Sequence, residues 1–258
     1  MKTLREFLNK FFNKGKKAEA EKEVSKGGST IYRYEEPEAT DWRPPENYGI
    51  YTDEVCTHFD QIFPDRETSV FHEIISDLVH IDVHIMRPTP EENFYVIYTT
   101  GMSDLPMNVP ADMPNAQDYA HAELVMFLPA SWDPDNALEV TDGIPSKDFW
   151  AISGIKFFAR FPHDFNTWLG SGHTVPNGPD YEPIIENSEM GGIVLLELGE
   201  KESPVIANDG TKITLLMVVP ISQAETEYKL EYGMDALMEK FDEHNVPHIL
   251  DIYRKSVM

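Results

Sequence analysis

Two short stretches gather side chains able to do chemistry. In "ARFPHDFNTWLGSGHTVPN", residues 159–177, Arg160, His163, Asn166 and Trp168 lead into a glycine-rich turn that ends in Gly172, His173 and Thr174. A histidine between Gly172 and Thr174 is sterically open and titrates near neutral pH, as a general base must. Acyl chemistry also needs an activated nucleophile and oxyanion donors. "WLGSGHT" does not supply the nucleophile elbow, because His173 stands two places after Ser171, where the G-x-S-x-G pattern requires glycine. In "VHIDVHI" the residues His80, Asp82 and His84 alternate, which on a strand sends all three side chains to one face, as a metal site on a sheet requires. With His173 they would make a metal-assisted hydrolase. The other reading is a half-buried strand that packs Val79, Ile81, Val83 and Ile85 inward and leaves the polar set in water. "HEIIS" begins a zincin pattern at His72 and Glu73, but Ser76 takes the place of the second histidine. Each set lacks a required partner, so the expectation is a protein without catalytic residues, metal or cofactor.

The elements that must position these residues follow from periodicity and turn chemistry. "NYGIYTDEVCTHFDQIF" carries Tyr48, Tyr51, Val55, Phe59 and Ile62 at helical spacing, and Pro64 ends it. "SVFHEII", "LVHIDVHIMR", "NFYVIYTTG" and "HAELVMFLP" are rich in β-branched and aromatic residues and read as strands. Pro145 and Ser146 open a helix with Trp150, Gly154, Phe157, Phe158 and Phe161 on one face, and Pro162 is expected to stop it before the histidine loop. "GGIVLLELGE" and "ITLLMVVPIS" are buried strands, each too short to span a membrane. Ser222 and Glu225 form a capping box that starts a last helix. The sum is an α+β domain, a mixed sheet with flanking helices.

Charge narrows the partners. The formal net charge is −24, yet residues 1–30 carry eight Lys/Arg against four acids, so residues 31–258 carry 13 bases and 41 acids, a net of −28. Residues 88–146 hold ten acids and residues 161–200 hold seven, with no Lys or Arg in either stretch. Nucleic acid, which demands a basic face, is excluded as a ligand, and a basic protein partner fits. The acids Asp133, Asp135, Asp180 and Glu182 lie in turn-forming segments where such a partner would meet them. In residues 1–14, Leu4, Phe7, Leu8, Phe11 and Phe12 line one face of a basic amphipathic helix, whose role would be weak membrane-surface contact. "AEAEKEVSKGGST" reads as a flexible linker, which places a boundary between residues 1–30 and a domain of residues 31–258. The single cysteine, Cys56, excludes an internal disulfide and fits a cytoplasmic protein.

Four stretches also carry a resemblance. "YTTGMSDLPMNVP" at 98–110, with Gly101 and Met102, "AELVMFLPASW" at 122–132, "FFARFPHDFNTWLGSGHTVPN" at 157–177 and "LLMVVPISQAETEYKLEYG" at 215–233 occur in the order found in Suppressor of fused domain proteins. The resemblance covers most of residues 45–255 and is to single-domain bacterial members. It implies a Suppressor of fused-like fold and a protein-binding module without catalytic activity. Animal members restrain transcription factors of the Hedgehog pathway and use a second domain to clasp the partner peptide, which is not expected here. Bacterial members resemble immunity proteins of toxin systems, so neutralising a toxin domain is the function the resemblance implies. It also implies that Arg160, His163, Asn166, Trp168, Gly172, His173 and Thr174 shape a loop, in which Gly170 and Gly172, having no Cβ, would permit positive φ. The alternatives are the hydrolase built on His80, Asp82 and His84, and a regulatory adaptor recruited to a membrane surface.

Overall fold

Alternating apolar residues in the middle of the chain build a sheet that two helices cover. In the computed structural model the described residues are 23–34, 42–137, 139–141 and 144–258, so the expected helix of residues 1–14 lies outside them. The chain divides into two compact units, one of residues 40–173 and 195–218, the other of residues up to 39, 174–194 and 219–258.

In the larger unit, β3 (Thr68–Phe71), β4 (Asp82–Met86), β5 (Phe94–Thr100) and β6 (His121–Pro129) form an antiparallel meander. Strand β12 (Lys212–Ser222) joins β6 in parallel through Ile213–Met217, and β11 (Val205–Ile206) pairs antiparallel with β12. The sheet is mixed, with β3 at its edge, and a separate antiparallel pair joins β7 (Val140–Thr141) to β8 (Ile144–Pro145). Helix α1 (Thr52–Ile62) buries Val55 and Phe59, and the Phe59 ring stacks on Tyr98 of β5 at 3.8 Å. It starts after Tyr48 because Gly49 turns the chain at φ +67°, with its N–H donating to the Asp104 carboxylate. Helix α2 (Trp150–Asp164) packs on β4, β5 and β6.

Helix α2 corrects two expectations. It runs through Pro162 to Asp164, since a proline this close to the C-terminal end removes one backbone donor from a helix already formed. Its buried face includes Ala151, Ile152, Ile155 and Ala159, small and branched residues that let it approach the sheet; of the expected face Phe161 is buried, while Trp150, Phe157 and Phe158 are half-buried.

In the smaller unit, β9 (Thr174–Pro176) pairs antiparallel with β10 (Met190–Glu197). Ser222 and Glu225 close the expected capping box on α3 (Gln223–Tyr232), and Gly233 at φ +95° separates it from α4 (Met234–Glu243), so the last helical stretch is two helices. Glu225 also pairs with Arg254 at 2.6 and 2.8 Å. The residues read as a flexible linker instead include a hairpin of β1 (Glu23–Val24) and β2 (Thr30–Ile31), whose turn donates from Gly27 N to Leu230 O. A boundary between residues 30 and 31 would cut β2. Among the described residues, no helix is long and apolar enough to cross a membrane.

Candidate functional site

After Phe71 the chain leaves the sheet, although "SVFHEII" reads as one strand, because Glu73 is drawn into an ionic cluster. Its carboxylate binds Lys156 Nζ at 2.8 Å, contacts Arg160 from α2, and accepts from Ile81 N at 3.2 Å. Burial alone would raise its pKa, but Lys156 and Arg160 hold it below the ordinary carboxylate value. Arg160 further donates to the carbonyls of Asp77 and Val79, at 2.7 and 2.9 Å. Asp82 gathers a second set: Glu73 N at 2.9 Å, His72 Nδ1 at 2.9 Å and His80 Nε2 at 3.0 Å, with Ser76 Oγ on the other nitrogen of His80 at 2.7 Å. Burial pushes the Asp82 carboxyl up, and these donors bring it below its usual range.

The metal reading fails on this geometry. Strand β4 begins at Asp82, and both its faces are buried, so the polar set is not left in water as the sequence pattern allows. His84 lies under α1, its ring stacked on Tyr98 at 4.7 Å, 3.0 Å from Thr100 Oγ1 and 3.8 Å from Cys56 Sγ. Burial lowers its pKa to about 4. His80 and Asp82 meet each other and His72, whereas His84 faces Thr100 and His173 meets the Trp168 ring edge-on at 4.4 Å. Among the described residues, no three His, Cys, Asp or Glu side chains are arranged to hold an ion.

In the histidine loop, His163 and the backbone of Gly172 and His173 bond to other backbone groups. His163, on α2, is buried and donates from Nε2 to the Met102 carbonyl at 2.9 Å, with its pKa lowered by burial to about 4. Gly101, before Met102, has φ +97°, and a Cβ there would lie 1.8 Å from the His80 carbonyl oxygen. Asn166 takes a left-handed turn at φ +48°. Gly172 at φ +80° donates to Leu195 O at 2.7 Å, and Leu195 N returns a bond to His173 O at 2.9 Å. Gly170, which would permit positive φ, does not take it; its place is set by the Trp168 ring, 2.6 Å from where a Cβ would stand. Thr174 opens β9 opposite Val194.

Behind the 101–104 turn lies fully buried Glu123. It accepts from Thr99 Oγ1 at 2.6 Å and from Ser103 N and Oγ at 2.9 and 2.6 Å. Burial raises its pKa to about 7 against the pull of those donors. Glu123 and Asp104 are almost wholly buried, and His163 is only 9% exposed.

Of the four acids expected to meet a partner, Asp133, Asp135 and Asp180 are exposed, and Glu182 is half-buried. Asp133 Oδ1 also accepts from Asp135 N and Asn136 N, capping the single helical turn Pro134–Ala137, and Asp135 lies 3.5 Å from Arg87. The surface that the sequence pattern hides is apolar. Trp42, Pro45 and Tyr48 face Ile74, Ile75 and Ser76 across an open groove of about 370 Å³, with His80 at its wall. Ile74 is 96% exposed, Ile75 80%, and Trp42 and Tyr48 64% each. The broken zincin match drew attention to His72 and Glu73, when the adjacent isoleucine pair is what the loop displays.

Comparison with known proteins agrees with this architecture. A family model described as Suppressor of fused protein matches residues 77–255. No curated protein matches. Among solved structures, a putative Suppressor of fused homolog from Neisseria gonorrhoeae is similar at a TM-score of 0.57 and 18% identity, over 81% of this chain and 97% of that one. The Sufu-Fu complex gives 0.55 and 12%, over 83% and 93%. Drosophila Suppressor of Fused gives 0.55 and 11%, over 85% of this chain and 54% of the longer relative.

Proposed function

The chain belongs to the Suppressor of fused family, and from that premise we propose that it is a non-catalytic protein-binding module of the immunity type, neutralising a basic toxin domain. The observation that carries this reading is the exposure of Asp133, Asp135 and Asp180 on stretches without a single Lys or Arg. A nuclease toxin must be positive where it meets nucleic acid, and an acidic surface is complementary to that face. A similar structure, the Sufu-Fu complex, is that of a relative with a partner bound, which supports binding as the activity. The histidines and carboxylates that a hydrolase would use support the same reading, because they hold loops and turns.

Stopped-flow association with a basic nuclease toxin domain tests it. Opposite fields accelerate encounter by roughly 10- to 1,000-fold at low salt, so the association rate is expected to fall steeply as salt rises, with dissociation changing little. Asp133→Asn keeps the cap and removes the charge, so with Asp180→Asn it should slow association alone. A rate indifferent to salt overturns the reading.

A further inference from the structure

The serine that breaks the zincin pattern stands at one end of a proton relay. Ser76 Oγ lies 2.7 Å from His80 Nδ1, and His80 Nε2 lies 3.0 Å from Asp82 Oδ1. The Asp82 carboxyl is held below its usual range and only accepts, so His80 carries its proton on Nε2 and the bare Nδ1 accepts from the Ser76 hydroxyl. A hydroxyl bonded to an imidazole whose far nitrogen is fixed by a carboxylate is the arrangement that activates a serine, whichever ring nitrogen faces it. We propose that Ser76 is an activated nucleophile, a modification site that captures the acyl group of an apolar ester. The inference goes beyond the binding reading, which rests on the acidic surface, and it asks for one transfer per chain, not for turnover.

The relay opens on the groove, and the groove selects the acyl group. Ser76 and His80 are its polar lining; the rest is Trp42, Pro45, Tyr48, Ile74 and Ile75, on which an apolar chain lies with its carbonyl at Ser76. Nucleophile and base are fixed before any ligand arrives: Trp42 Nε1 donates to Ser76 O at 2.7 Å, and the Tyr48 ring meets the His80 ring edge-on at 4.4 Å. In the step, Ser76 Oγ bonds to the ester carbonyl carbon as its proton passes to His80 Nδ1. The bond from that carbon to the alcohol oxygen then breaks, and His80 returns the proton to the departing alcohol. Acyl-Ser76, free alcohol and a neutral His80 remain. Among the described residues, none accepts from the N–H of Ile75 or Ser76, which leaves both donors for the carbonyl oxygen. Asp82 also accepts from His72 and from Glu73 N, so its charge is divided and steadies the imidazolium less than an undivided carboxylate would. A single slow transfer is the expected result.

The full chain treated with p-nitrophenyl octanoate or p-nitrophenyl acetate tests this. Octanoate should release at most one nitrophenolate per chain, roughly tenfold or more faster than acetate because the groove holds its chain, and peptide mapping should place one octanoyl group on Ser76. Ser76→Ala should lose both the release and the label. The double variant Ile74→Asp, Ile75→Asp changes only exposed side chains and should slow octanoate roughly tenfold while leaving acetate as it was. His80→Gln should slow both esters roughly a hundredfold, the share of a general base. Where the Ala or Gln variant does not fold, the label mapped on the parent and the isoleucine variant still decide. A label confined to lysines or other serines overturns the proposal, as do a Ser76→Ala chain labelled like the parent and equal rates for the two esters. Release that continues past one equivalent overturns it too, by making the chain an enzyme. Toxin binding is read by a different ligand and by its salt dependence, so a failure here leaves that reading standing.

Discussion

Glu73 and Glu123 both pin a turn of the larger unit, and they do so by opposite electrostatic means. Glu73 fixes the loop after β3 with two cations from α2, Lys156 and Arg160, so its charge is compensated and its pKa falls. Glu123 fixes the 101–104 turn with two hydroxyls and one N–H, none of them charged, and its pKa climbs to about 7. The ionic clamp adjoins the exposed isoleucines in the chain, with one carboxylate facing two cations. The hydroxyl clamp is sealed in the core beneath Met102, whose carbonyl also receives His163. A carboxylate can therefore order backbone in either setting, but only beside the two cations does the environment favour its ionised form over the neutral one.

Removing the ionic clamp should have the largest effect. Glu73→Ala leaves Lys156 and Arg160 mostly buried without their carboxylate, at a cost of about 3 to 5 kcal/mol. Chemical denaturation should register it as a lower midpoint at unchanged slope. The loss should fade in acid, because a carboxyl whose folded pKa is depressed contributes above its unfolded value and ceases to contribute as pH falls through the folded one. An Ala variant within 1 kcal/mol of the parent would break the comparison.

Glu123 should behave with the opposite sign. Its folded pKa, about 7, lies above the unfolded value, so the folded state holds the extra proton and gains stability as pH falls from about 7 toward 4.5. His84 and His163, neutral and buried with pKa about 4, work against this by favouring the unfolded state over the same range. Glu123→Gln removes only the first contribution and keeps an acceptor for Ser103. The stability difference between parent and Glu123→Gln should therefore move by about 2 to 3 kcal/mol in favour of the parent between pH 8 and pH 5. Urea midpoints of the two proteins at both pH values give the result, and a constant difference means that Glu123 does not titrate in the fold.

How far the sequence foretells this depends on whether a feature is local. The capping box at Ser222 and Glu225 is contained in four residues, and the meander strands are contained in alternating apolar runs; both are legible. Pairings across long separations leave no such trace. Glu73 meets Arg160 from 87 residues away, and that contact turns the end of an apparent strand into a loop. The alternation His80, Asp82, His84 is real in the sequence, but a strand's period is blind to which helix covers each face, so it cannot tell a wet polar face from one roofed by α1. The apolar groove is hidden for a similar reason. Trp42 and Ile74 look like core residues in composition, and only the fold leaves them outside. The family-motif loop is the reverse case, since its histidines invite a chemical reading while His163 and the backbone of Gly172 and His173 hold other backbone groups.

That loop supplies the smallest prediction, because it is held without any carboxylate clamp. Gly172 sits at φ +80°, and its N–H reaches Leu195 O while Leu195 N reaches back to His173 O. An alanine there keeps both bonds but forces a Cβ into the left-handed region, which costs about 1 to 2 kcal/mol. In a chain of this size that is a fall in melting temperature of roughly 2 to 6 °C, smaller than the Glu73→Ala effect and, with no titrating group involved, equal at pH 5 and pH 8. Gly172→Asn, a residue that tolerates left-handed φ, should recover part of the loss. Thermal melts of the two variants at both pH values test this: a loss for Asn equal to that for Ala would mean that the position excludes a side chain for lack of space, and that φ is not what selects glycine.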